Sequence, residues 1–117
     1  MLKKDVHRLI DTVCAWPDVS LKKHRFGGMA FFVNGKEMGH MHGNSLVDLL
    51  LSKADRDEVL RLGKAVPHHV FPTSNWVSIY LRTETDVAKA LELLQMNYAR
   101  LVANTEQADP RKENNEK

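Results

Sequence analysis

The sequence holds a single cysteine, Cys14, so no internal disulfide can form and the fold has to be held by burial alone. It contains no run of ~18 or more apolar residues, so no membrane-spanning helix is expected. Its opening Met1-Leu2-Lys3-Lys4-Asp5 is charged where a signal peptide needs an apolar stretch. A cytoplasmic location is the expectation that follows. Neither charge sign is in excess: 17 Lys and Arg against 15 Asp and Glu give a formal net charge of +2. That balance leaves no broad basic stripe for phosphate backbones, so nucleic acid is not an expected partner. The one basic cluster, Lys22-Lys23-His24-Arg25, reads as a solvated strand face or turn. The serine-hydrolase elbow and both glycine-rich phosphate-binding patterns are missing as well.

What is present suits one α+β domain. The 117 residues, 43% hydrophobic and 27% charged, are enough for one core. Leu2, Val6, Leu9, Ile10 and Val13 have helical spacing, with Cys14 as a small buried hydrophobe, and Trp16-Pro17 ends that helix. An extended stretch follows near Val19, and Met29–Val33 reads as a strand. Asn34-Gly35 is a type I′ turn signal that pairs Met29–Val33 with Lys36–His42. Ser52 to Asp55 resembles a helix cap, with Gly63 closing that short helix. Val66–Phe71 and Trp76–Arg82 read as strands around a loop at residues 72–75, with Val77, Ile79 and Leu81 in the core. A second cap at Thr83 to Asp86 opens a long helix through Val87, Ala90, Leu91, Leu94, Tyr98 and Leu101. The expected architecture is a small, mostly antiparallel sheet covered by helices, in the order helix-strands-helix-strands-helix. The domain spans 1–103, and 104–117 form a disordered tail for want of apolar residues.

Four of the six histidines fall in two short segments, Gly39-His40-Met41-His42 and Pro67-His68-His69. With a two-residue turn at Asn34-Gly35, Phe31 faces Met38 and Met29 faces His40. His40 and His42 then share a face with Met29, Phe31 and Met38, and Gly39 and Met41 point the other way. Since neighbouring strand residues alternate, one of His68 and His69 joins them. Neutral imidazoles beside an apolar surface can donate, accept or move a proton. Each can equally be a half-buried residue bonded to a carbonyl. Asp48 either orients an imidazole or lies on the surface of a short helix, and Trp76 with Tyr80 either walls a pocket or packs beneath a helix. The helical zinc motif and cysteine ligands are lacking, so neither a metal nor another cofactor is expected.

The ordered series Glu37-Met38-Gly39-His40-Met41-His42-Gly43, Asp48, Gly63 to Pro67-His68-His69, Ser74-Asn75-Trp76-Val77-Ser78, Asp86 and Asn97-Tyr98 resembles the luciferase-like domain. Fungal luciferases and many short bacterial proteins share it, and the likeness covers roughly residues 26–101. The resemblance implies a small-molecule site with His40, His42, His68 and His69 as catalytic candidates and Asp48, Asn75, Trp76 and Tyr80 as ligand-binding ones. It also implies cofactor-independent oxygenation of a hydroxypyrone. Asn75 stands where the family usually has glycine, a residue that tolerates a left-handed turn and adds a polar group at the pocket mouth. A weaker likeness to the small bacterial YjbR and MmcQ domains implies the alternative, a non-enzymatic protein- or nucleic-acid-interaction module.

Overall fold

The computed structural model describes residues 2–23 and 28–107. Lys22 and Lys23 of the basic cluster are described, whereas His24 and Arg25 and the end of the expected tail, 108–117, lie outside the described residues. The element order is α1 (Leu2–Cys14), β1 (Val19–Lys23), β2 (Met29–Val33), β3 (Lys36–His42), β4 (Leu46–Leu50), α2 (Lys53–Arg61), β5 (Val66–Pro67), β6 (Trp76–Tyr80) and α3 (Glu84–Gln107). The strands form one antiparallel sheet in the order β1-β2-β3-β4-β6-β5. The fold is therefore α+β, with the expected helix-strands-helix-strands-helix order.

One face of the sheet is apolar and is covered by α1 and α3. Phe31, Met41, Val47, Leu49, Val77 and Ile79 project from the strands into a core with Val6, Leu9 and Val13 of α1 and Leu93, Leu94 and Leu101 of α3. The period-two and period-3.6 patterns of these segments meet on that surface, and burying it is the main stabilising contribution. Trp16 packs on Tyr98 with ring centroids 5.1 Å apart, and the Tyr98 hydroxyl donates to the Pro17 carbonyl at 2.8 Å, fastening the end of α1 to α3. Cys14 is partly buried against the same core. Both caps form: Ser52 Oγ accepts from the Asp55 N–H, and Thr83 and Asp86 bond reciprocally.

Three local features differ from the sequence expectations. Residues Leu46–Leu50 form a full strand, so Asp48 lies at the centre of the sheet and not on a short helix. The strand expected over Val66–Phe71 stops after Pro67, and β6 stops at Tyr80. Helix α3 continues past Ala103 to Gln107.

The fourth difference is one of register. Asn34 and Gly35 have φ of 52° and 80°, as a type I′ turn requires, and Val33 faces Lys36 as expected. Beyond Phe32↔Glu37, however, the pairing jumps to Phe31↔Gly39, Ala30↔His40 and Met29↔Met41. Met38 is the extra residue of a β-bulge, and it turns into the helix-covered core, where it is fully buried. Met29 and Phe31 thus lie on the face opposite His40 and His42. The expected apolar surround from Met29, Phe31 and Met38 is corrected accordingly.

Candidate functional site

The bulge sets the site. In an unbroken strand residues 37 and 40 would point to opposite faces; with one residue inserted between them, Glu37 and His40 share the face away from the helices. Glu37 Oε2 lies 2.8 Å from His40 Nδ1. The bulge frees the Met38 carbonyl from the ladder, and the fully buried Asn97 of α3 donates to it at 2.7 Å and to the Leu50 carbonyl at 3.0 Å. Arg100 in turn holds the Asn97 carbonyl oxygen at 2.8 Å. Gly39 lets β3 lie close to β4, since a Cβ there would meet the Asp48 backbone oxygen at 2.6 Å.

On β4, Asp48 sits opposite His40 and beside Ser78 of β6, with no exposed surface. Its Oδ1 accepts from the Ser78 hydroxyl at 2.6 Å. Its Oδ2 faces four imidazole nitrogens: His42 Nε2 at 2.9 Å and the Nε2 atoms of His40, His68 and His69 each at 3.3 Å. Both members of the His68-His69 pair reach the carboxylate, where strand alternation predicted only one. The reason is that β5 ends at Pro67 and alternation does not govern the loop that follows. His68 Nδ1 accepts from the backbone N–H groups of Val70 and Phe71 at 3.1 and 3.0 Å, bending the loop back on itself. Arg56 of α2 fixes the far end by donating to the carbonyls of Ser74 at 2.7 Å and Pro72 at 3.0 Å.

These bonds settle where two protons lie. His68 Nδ1 is an acceptor, so its proton is on Nε2 and is donated to Asp48. Burial accordingly holds His68 below its usual pKa, against the pull of Asp48. His40 donates from Nδ1 to Glu37, so its Nε2 needs a positive charge between it and the carboxylate. Burial opposes charging His40, but hydrogen bonds to Asp48 and Glu37 outweigh it and push the pKa up to about 9. Burial likewise opposes ionising Asp48, and its hydrogen bonds from His40, Ser78 and His42 hold the carboxyl well below the usual range.

Above this floor opens a cleft of about 290 Å³ lined by His40, His42, Asp48, His68, His69, Val70, Phe71 and Trp76. Trp76 stands 5.1 Å from the His40 ring, and Phe71 stacks on His68 at 5.6 Å, so aromatic walls flank the polar floor. His40, His42, His68, His69, Asp48 and Trp76 are thus brought together. Tyr80 and Asn75 are not. Tyr80 shares the sheet face of Trp76 but lines a separate depression of about 130 Å³ with Lys64, Arg82 and Lys89. Asn75 is exposed, is not left-handed, and offers its carbonyl to Leu51 N–H at 3.1 Å. The sequence reasoning missed Glu37, Ser78 and Asn97 as parts of the site. Among the described residues two triads could hold a metal, His40-His42-Asp48 and Asp48-His68-His69, the ligand atoms of each triad lying within 4.8 Å of one another.

Fold and site together define an α+β domain whose open sheet face carries a histidine–carboxylate cleft. The family model of the Luciferase domain matches residues 35–97, more than half of the 117-residue chain. The protein belongs to that family. The matched segment begins just before Glu37, ends on Asn97, and contains every described residue that lines the cleft. No curated protein and no solved structure gives a match.

Proposed function

We propose that the cleft binds a small planar organic molecule bearing an acidic hydroxyl, of the hydroxypyrone kind. Its ring lies between Trp76, Val70 and Phe71, and its oxygen rests on the imidazole floor. The observation that carries this reading is the joining of apolar aromatic walls to one donor-rich polar floor in a single concavity, the usual composition of a ligand pocket. A volume of about 290 Å³ suits one or two rings. Imidazole N–H groups and the positive charge at His40 favour a deprotonated enolate over its hydroxyl. An enolate is electron-rich, which is the condition for the oxygenase-like activity that family membership suggests. The alternative of an interaction module calls for a flat patch, and the concavity at the histidines supports the ligand reading instead.

The test is a thermal-shift screen of small hydroxylated heterocycles on the wild type and on the His40→Gln/His42→Gln double variant. The expected result is a set of compounds that raise the melting temperature of the wild type and leave that of the folded variant unmoved. Compounds that stabilise both equally would refute the site. Oxygen uptake with the best compound then tests the reaction separately from the binding.

A further inference from the structure

The hydrogen bonds on Asp48 Oδ2 are too many and too long for hydrogen bonding alone. One carboxylate oxygen has about two lone pairs, yet four Nε2 atoms converge on this one. Three of the four lie at 3.3 Å, outside the usual N–H···O range of about 2.7–3.2 Å. A separation near 3.3 Å is, however, the edge of a tetrahedron of ligands whose bonds to a central ion are about 2.0–2.1 Å.

We propose that Nε2 of His40 and His42, with Asp48 Oδ2, bind a divalent transition-metal ion of the zinc class, these three ligand atoms lying within 4.8 Å of one another. The hydrogen bonds around the cluster choose these ligands. His40 donates its Nδ1–H to Glu37, so a metal ion would replace the proton on Nε2 and complete a carboxylate–imidazole–metal relay. Ser78 occupies Asp48 Oδ1 and leaves Oδ2 as the ligand atom. His68 is not a ligand, because its Nδ1 is the acceptor for Val70 and Phe71 and its Nε2 carries the proton. It donates to Asp48 from outside the coordination shell. His69, whose ring stands 5.8 Å from that of His42, belongs to a separate group with Asp48 and His68 and stays outside the shell. Two imidazoles and one carboxylate, the three-ligand kind of set that holds catalytic zinc, suit zinc better than magnesium or calcium, which prefer oxygen ligands. The cleft side is left for a fourth ligand, such as an oxygen of the bound molecule.

This inference places the ion in the floor of the proposed ligand site and rests on that floor being functional, but it is tested without any organic ligand. Tag-free protein is stripped with chelator and titrated with zinc(II) by calorimetry, with cobalt(II) absorption as a second probe of the coordination. One ion per chain should bind, and His40→Gln and His42→Gln should each weaken it at least tenfold, while His68→Gln and His69→Gln should weaken it less than either. His42 and His69 are a third exposed, at 34% and 33%, so their variants should stay folded. If His42→Gln unfolds, His40→Gln decides. Absence of stoichiometric zinc binding, or binding unchanged in folded His40→Gln or His42→Gln, overturns the proposal. Screening the stripped and loaded proteins for organic ligands separates the two ideas. Zinc binding without any organic hit keeps the metal site and removes the ligand reading, and hits without zinc binding do the reverse.

Discussion

Two residues outside the cleft's lining decide its geometry. Gly39→Ala puts a methyl group 2.6 Å from the Asp48 carbonyl oxygen, which is backbone and cannot swing aside. We expect it to part β3 from β4 at a cost of about 1–3 kcal/mol, the range for overpacking, read as a lower denaturation midpoint. Asn97→Leu leaves the Met38 carbonyl buried without its donor, and an unsatisfied buried group costs about 1–3 kcal/mol. Chemical denaturation should show that loss. The side chain at 97 touches neither the cleft nor its ligand, so any weakening of ligand binding in this variant reports the bulge it supports. Asn97 was visible in the sequence only as part of a family-like Asn-Tyr pair. A polar residue on an otherwise apolar helix face is a signal of this kind of role, but the carbonyl it serves exists only because of the bulge.

At the level of elements, the hairpin was legible and its far end was not. Asn34-Gly35 needs positive φ at both positions, so the turn and the first pairs follow from two residues. The bulge at Met38 leaves no such local mark, because Met38 is as apolar as its neighbours and its direction is set by the core around it. β4 was missed for a related reason. Leu46-Val47-Asp48-Leu49-Leu50 is apolar but for Asp48, which interrupts a strand pattern until the four imidazoles and Ser78 are known to meet it. The His68-His69 loop depends on Arg56, eighteen residues from Ser74, and long-range bonds of this sort have no sequence period. We expect Arg56→Ala to keep the sheet intact while loosening residues 68–75. Hydrogen exchange at Val70 and Phe71, whose N–H groups bond to His68, should accelerate by at least tenfold, and ligand binding should weaken with it. Unchanged protection there would show that His68 holds the loop alone.

On the scale of the whole molecule, the sheet separates two tasks. Its helix-covered face carries the stability, and its other face carries polar groups that a core would not tolerate. Among the described residues no helix is long and apolar enough to cross a membrane. The apolar periodicity of α1, α3 and β6 made the architecture readable, because those residues all serve the first face. The second face was read only as pairs of histidines, since what joins them is one aspartate contacted from three separate segments. Residues 108–117 contribute almost nothing apolar, so removing them should shift the melting temperature by less than the roughly 4–8 °C that 1 kcal/mol produces in a domain of this size. A larger fall would mean that the segment docks on the domain.

The central claim is that four imidazoles meet one carboxylate, with the protons of His40 and His68 in fixed places. Long-range nitrogen–proton NMR correlation of the histidine rings in chelator-stripped protein at pH 7 reads those places directly. The account predicts a neutral ring protonated on Nε2 for His68, from the two backbone donors at its Nδ1, and a ring protonated on both nitrogens for His40, between Glu37 and Asp48. Assignment of both to the spectra of freely exchanging, solvent-like imidazoles, or a His68 ring protonated on Nδ1, would contradict it.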